Sequence, residues 1–131
     1  MAGRCVGPWT SFCEYADTKP KKTPMWFGFD NTRPLAVFAG VWCSWIGTRG
    51  TKANPVQGEH TLFGFLTCDP NDVVGAVHPK AMPVILTNDA EIEQWMTAPA
   101  EEALKLQRPL PDGMLSVVAS GERKDEAAVA A

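Results

Sequence analysis

LAVFAGVWCSW, residues 35–45, is apolar on both alternating faces and rich in β-branched and aromatic side chains. A strand with that pattern is covered on both sides, so the segment predicts a central strand. On its amino-terminal side, Asp30-Asn31-Thr32-Arg33-Pro34 reads as a turn and Met25 to Phe29 as the strand leading into it. Ala16 to Pro24 (ADTKPKKTP) is polar and proline-bounded, as the loop of a long hairpin is. Arg4 to Pro8 fits a short strand entering the fold. On the other side, Ile46 to Glu59 holds four glycines or prolines and few large apolar residues, which predicts a long loop. Thr61 to Thr67 and Met82 to Leu86 read as strands. Between them Asp69 or Asn71 can cap a short helix over Asp72 to Val77, broken by His78-Pro79-Lys80. Asn88 with Glu91 resembles a capping box for a helix whose apolar face is Ile92, Trp95 and Met96. A second helix is expected from Ala98 to Leu106, stopped by Pro109 and Pro111, and a last strand over Met114 to Ala119. The charged, alanine-rich residues 120–131 are expected to fray. Strands dominate, no βαβ alternation occurs, and the helix pair comes late. The expected fold is therefore α+β, with a bent mixed or antiparallel β-barrel-like sheet over residues 1–119.

Composition agrees with one ordered domain. The 131 residues are 45% hydrophobic and 21% charged, with eleven prolines and eleven glycines marking many turns. A coiled coil, a collagen-like chain and a strongly basic tail are excluded. No apolar run approaches the roughly 18 residues of a membrane span. MAGRCVGPWTSF lacks the apolar stretch of a secretory signal, so a cytoplasmic protein with no membrane partner is expected. The net charge of −3 hides an asymmetry. Residues 1–66 hold seven Lys/Arg against four Asp/Glu, and residues 67–131 hold five against eleven. A polyanion would find attraction in the first half only.

Few residues can do chemistry. No glycine-rich phosphate loop and no GxSxG elbow occurs. Cys5, Cys13, Cys43 and Cys68 form no CxxC pair, and His60 and His78 lie eighteen residues apart, so neither a metal nor a cofactor is expected. In the expected compartment the cysteines read as reduced thiols. Glu14 sits among aromatics (SFCEY), and a partly dehydrated carboxyl suits a proton donor near neutral pH. An exposed strand glutamate is the plainer alternative. His78 precedes a strand (AVHPKAMPVIL), a junction where catalytic groups sit on a rigid frame, or else it is a hydrogen-bonded structural histidine. Together the two would form an acid–base pair. Lys19, Lys21 and Lys22 are either a solvated loop tip or phosphate contacts.

Three segments in order carry a resemblance: RCVGPWTSFCEYA, MWFGFDNTRPLAVFAGVW, and FGFLTCDPNDVVGAVHPKAMPVILTNDAEIEQWM. They resemble the SRAP (SOS-response-associated peptidase) family from about Arg4 to Glu122. The resemblance implies a compact α+β protein that binds single-stranded DNA and traps abasic sites. There, an amino-terminal cysteine closes a thiazolidine ring on the sugar aldehyde. By position, Glu14 matches the family glutamate and His78 the family histidine. Thr67 matches a threonine near the site, and Lys80 stands where many members carry a DNA-contacting arginine.

The family opens MCGR, whereas this chain opens MAGRC and aligns Arg4-Cys5 with a later RC. The expectation is therefore a carboxyl-terminal portion of an SRAP protein, from a truncated gene or a misassigned start, with catalysis impaired. An internal cysteine cannot replace the nucleophile, because the ring needs amine and thiol on one residue. Two alternatives stand beside this reading: a non-catalytic binding module, and a thiol hydrolase or peptidase using Cys13 or Cys68 with His78. Cys13 and Glu14 are adjacent on a strand and should point to opposite faces. Phe38, Trp42, Phe63 and Phe65 are expected to expose apolar surface on a truncated sheet and drive self-association.

Overall fold

The computed structural model describes residues 1–126 as nine strands and three short α-helices. The largest sheet orders β1 (Ala2–Trp9), β4 (Ala36–Gly50) and β5 (Pro55–Phe65), with β8 (Ile85–Leu86) also pairing β4. The second orders β2 (Phe12–Ala16), β3 (Thr23–Gly28) and β9 (Ser116–Ser120). The third pairs β6 (Thr67–Cys68) with β7 (Met82–Pro83). Among the described residues every strand pair is antiparallel, and none of the sheets closes into a barrel. The barrel-like expectation is thus corrected to separate antiparallel sheets. The α+β class and the late helices, α2 (Asp89–Thr97) and α3 (Ala100–Ala103), stand.

β4 is central because its first five residues divide the core. Phe38 packs with Trp9, Phe12, Phe27, Met82 and Ile85 on one side. Its neighbour Ala39 packs with Val84, Leu86, Trp95 and Leu106 on the other. Strand alternation sends adjacent side chains to opposite faces, so one strand serves both clusters. Double cover ends at Gly40; Val41 and Trp45 are already exposed.

The expected loop over Ile46 to Glu59 is mostly strand. β4 and β5 stay in register from Gly40↔Phe65 to Gly50↔Pro55, leaving a turn of residues 51–54. Glycines here serve the hairpin. A Cβ on Gly47 would come within 2.2 Å of the Trp45 ring, and Gly50 has a φ of +88° that side chains rarely adopt. The turn closes with Asn54 N–H donating to the Thr51 hydroxyl at 3.0 Å.

The helices follow their caps. Asn71 Oδ1 accepts the Val74 N–H at the start of α1 (Asp72–Gly75). Asn88 Oδ1 accepts the Glu91 N–H of α2 at 2.9 Å. The returning half of the capping box lands one residue earlier than usual, on the Thr87 N–H and hydroxyl, because Glu91 also holds Arg108 at 2.8 Å. Trp95 is 2% exposed whereas Met96 is exposed, so the apolar face of α2 is narrower than expected. α3 tightens into a 3₁₀ turn over Leu104–Leu106.

The tail is also corrected as far as it is described. β9 runs through Ser120, Gly121 N–H donates to Pro24 O at 2.9 Å, and Trp26 Nε1–H donates to Glu122 O at 2.9 Å. The buried Asp125 carboxylate pairs with Arg33 and accepts the Ser11 hydroxyl at 2.7 Å. Backbone pairing and a buried ion pair hold what composition alone reads as solvated. Residues 127–131 of the expected frayed tail lie outside the described residues. No helix among the described residues is long and apolar enough to cross a membrane.

Candidate functional site

Glu14 lies mid-strand in β2, opposite Met25 of β3, with Phe12 on the same face. Phe12 is anchored in the core against Phe38, its ring 5.5 Å away. That packing fixes the face on which Glu14 emerges. His78 follows α1, where its N–H donates to Val74 O at 2.7 Å. The turn His78-Pro79-Lys80-Ala81 then folds back so that the imidazole Nδ1 meets Ala81 O at 2.8 Å.

These two placements bring Glu14 Oε2 to 4.0 Å from His78 Nε2, with both side chains partly exposed. A carbonyl only accepts, so Nδ1 carries a proton and Nε2 is left facing the carboxylate. The gap between them is one that a water, or the edge of a small substrate, can bridge. The arrangement can pass a proton between a reacting atom, Glu14 and His78.

Thr67 and Lys80 line a neighbouring depression with Asp69, Ala81 and Gln107. Gln107 Nε2–H donates to Thr67 O at 2.9 Å, fixing β6 there. Ala81 belongs to both groups, since its carbonyl orients His78. The loop lysines are elsewhere. Lys21 and Lys22 line a cleft with Tyr15, whose side chain leaves β2 on the face opposite Glu14. Lys19 is exposed and sits 3.8 Å from Asp17. Among the described residues no cluster of three metal-ligating side chains occurs. His60 Nε2 lies 3.1 Å from Val56 O and its ring is beside Trp45, a structural place in the hairpin.

Two structural arginines near the site escaped sequence reasoning. Arg4 reaches Ala98 O and lies 5.7 Å over the Trp95 ring. Arg108 holds the Glu91 carboxylate and donates to Ile85 O at 2.8 Å. Arg4 belongs to the RC motif, which could have flagged it. Arg108 had no local signal, because its partners lie 17 and 23 residues away.

The thiols bear on hydrolase chemistry. Cys13 leaves β2 opposite Glu14, in register with Trp26. Burial pushes the Cys13 thiol up, and burial likewise raises Cys68 despite Arg108 nearby. A raised thiol holds less thiolate at a given pH, the reverse of what a nucleophile needs. At pH 8, Cys43, which is exposed, should therefore react with iodoacetamide several-fold faster than Cys13 or Cys68. The two slow sites should gain rate as pH rises further. Peptide mass spectrometry over a time course measures the order.

Separate antiparallel sheets bring a strand-borne carboxylate to 4.0 Å from a turn-borne imidazole in an α+β protein. The chain belongs to the SOS response associated peptidase (SRAP) family, which it matches over residues 1–121. A crystal structure of a protein from Bacteroides thetaiotaomicron is similar in fold, with a TM-score of 0.69 and 23% identity. The similarity covers 90% of this chain and 48% of that one, so this chain spans about half the length of that protein. No match to a curated protein is found.

Proposed function

We infer that the chain is an SRAP domain directed at single-stranded DNA carrying abasic sites, with Glu14 and His78 as its proton-transfer pair. The observation that carries this reading is the 4.0 Å approach of Glu14 Oε2 to His78 Nε2, with Nδ1 held by Ala81 O. Thr67 and Lys80 beside the pair suit contact with the strand, a lysine serving as a point charge for phosphate. The raised Cys13 and Cys68 thiols weigh against the hydrolase reading.

Covalent trapping needs an amine and a thiol on one residue, which the Glu14–His78 pair does not supply. Thiazolidine formation begins when an α-amine adds to the aldehyde carbon and water leaves. The thiol of the same residue then adds to that carbon, and its proton ends on the ring nitrogen. The nitrogens of Cys5 and Cys13 are amides, so neither internal cysteine supplies that amine. Glu14 and His78 move protons but supply no trapping nucleophile.

The test incubates the 131-residue polypeptide with an abasic oligonucleotide and runs a denaturing gel without reductant. No heat-stable shifted band is expected, while native-gel binding should be weak and salt-sensitive. Changing Ala2→Cys, with Met1 removed, should raise crosslinking at least tenfold if the pair is competent, and adding Glu14→Gln should reverse most of that gain, since general acid–base groups contribute about a hundredfold or more. A stable band from the unaltered chain would mean that trapping does not need an amino-terminal cysteine. No single-stranded DNA binding at all would favour a binding module for other partners.

A further inference from the structure

The face of the large sheet opposite the Trp42 and Phe63 side chains is covered over only part of its area. Strand alternation puts Ala2, Arg4, Val41, Cys43, Leu62 and Gly64 together on it. Arg4 stands level with Val41 and Gly64, and Ala2 level with Cys43 and Leu62. α2 covers the near end, where Trp95 packs with Ala39. Arg4 reaches to Ala98 O at the end of that helix, and beyond it Val41 is 45% exposed and Cys43 is exposed. There the six residues line a shallow, almost wholly apolar groove of about 580 Å³. Gly64 keeps it open, because a Cβ at that position would meet nothing within 4 Å.

Arg4 is the exception in this apolar setting. It lines the groove, yet it forms no ion pair among the described residues. Nη2–H donates to Ala98 O and the guanidinium lies 5.7 Å over the Trp95 ring, but Nη1 is buried and has no hydrogen-bond partner. The other arginines withdrawn from water, Arg33 and Arg108, each hold a carboxylate. A partly dehydrated cation that is short of an acceptor carries a cost, and an anion brought to it relieves that cost.

We propose that this groove binds an aliphatic carboxylate of the fatty-acid type, with its head group on the Arg4 guanidinium and its chain over Val41, Gly64 and Leu62. Two features select that chemistry. A single cation at the edge of the groove calls for a single anionic head, and a guanidinium matches the geometry of a carboxylate. The apolar bed calls for hydrocarbon, whose removal from water is favourable in proportion to its area. A polyanion fits poorly, since a run of phosphates would meet one cation and apolar walls. The groove's volume is ordinary for a small-molecule site, and its lining includes neither Glu14 nor His78.

The experiment titrates the full chain with sodium octanoate and follows alkylation of Cys43 by iodoacetamide, because that thiol lines the groove. At about ten times its dissociation constant octanoate should slow Cys43 about tenfold, by mass action, and leave Cys13 and Cys68 unaffected. Octanol, which has the same chain without the charge, should need on the order of tenfold more for the same protection. Arg4→Gln should weaken protection by octanoate on the order of tenfold and erase its advantage over octanol. Arg4 also braces α2, so Gly64→Leu serves as a second variant. Position 64 has open space and a φ outside the left-handed region, so the leucine should fold in place, fill the groove and abolish protection with Arg4 intact. The proposal would be overturned by an unaltered chain that octanoate does not protect, by equal protection from octanoate and octanol, or by protection that survives Gly64→Leu. Protection of Cys43 by an oligothymidylate but not by octanoate would also overturn it, and would mark the groove as a surface for phosphates instead.

Discussion

Replacing Trp95 with alanine should remove a large part of the folding free energy of this domain. The indole is 2% exposed and fills the cluster of Ala39, Val84, Leu86 and Leu106. Its Nε1–H is shared between Cys5 O at 2.9 Å and Gly40 O at 3.2 Å, so one side chain ties α2 to β1 and β4. It also carries the Arg4 guanidinium over its ring. Truncating a buried aromatic costs about 3–5 kcal/mol, against a total of about 5–15 kcal/mol for a typical domain. Two carbonyls would lose their donor at the same time. Urea unfolding should show the midpoint falling steeply with little change in slope. Trp95→Phe keeps most of the bulk and loses the donor, so it should cost about 1–2 kcal/mol. An equal loss from both variants would mean that the hydrogen bonds, rather than the packing, carry the stability.

The second large effect concerns association. On the large sheet Trp42 pairs with Phe63, and Ile46 emerges on the same face. Phe63 is 69% exposed and Ile46 80%. Phe65 packs between Phe63 and Phe38, its ring centroid 5.6 and 5.2 Å from theirs, so the aromatic run continues from the core to open surface. Phe38 itself is 7% exposed, which removes it from the residues expected to be uncovered. β1 and β5 each pair only with β4 among the described residues, leaving two free edges beside this face. An open apolar face next to unpaired edges favours self-association. Sedimentation should show mass rising with concentration, and Phe63→Lys should weaken association on the order of thirtyfold, as removal of an aromatic anchor does. A parent chain that stays monomeric throughout would refute this.

Much of the local order is legible in the sequence. The Asn71 and Asn88 caps, the β2–β3 hairpin around the lysine loop, and the breaking of α1 before His78 each follow from signals within four or five residues. Side-chain oxygens reach their own helix N–H groups, and prolines act on their neighbours. The segment over Ile46–Glu59 misleads for the same reason. Its glycines are local turn signals, but a partner strand in register overrides them with a row of backbone hydrogen bonds. Residues 120–126 mislead likewise, because the charge of Asp125 looks solvated until Arg33, 92 positions earlier, meets it.

The candidate site divides along that line. The family resemblance singled out Glu14, His78, Thr67 and Lys80, and strand alternation separated Cys13 from Glu14. Only the tertiary structure placed Glu14 4.0 Å from His78, and only it moved Lys21 and Lys22 to the reverse face. Sixty-four residues separate the pair in the chain, and no periodicity spans that distance. Their meeting depends on Phe12 packing against Phe38 and on Ala81 O turning the imidazole. Those contacts exist only once β2, β4 and the His78 turn have closed on one core.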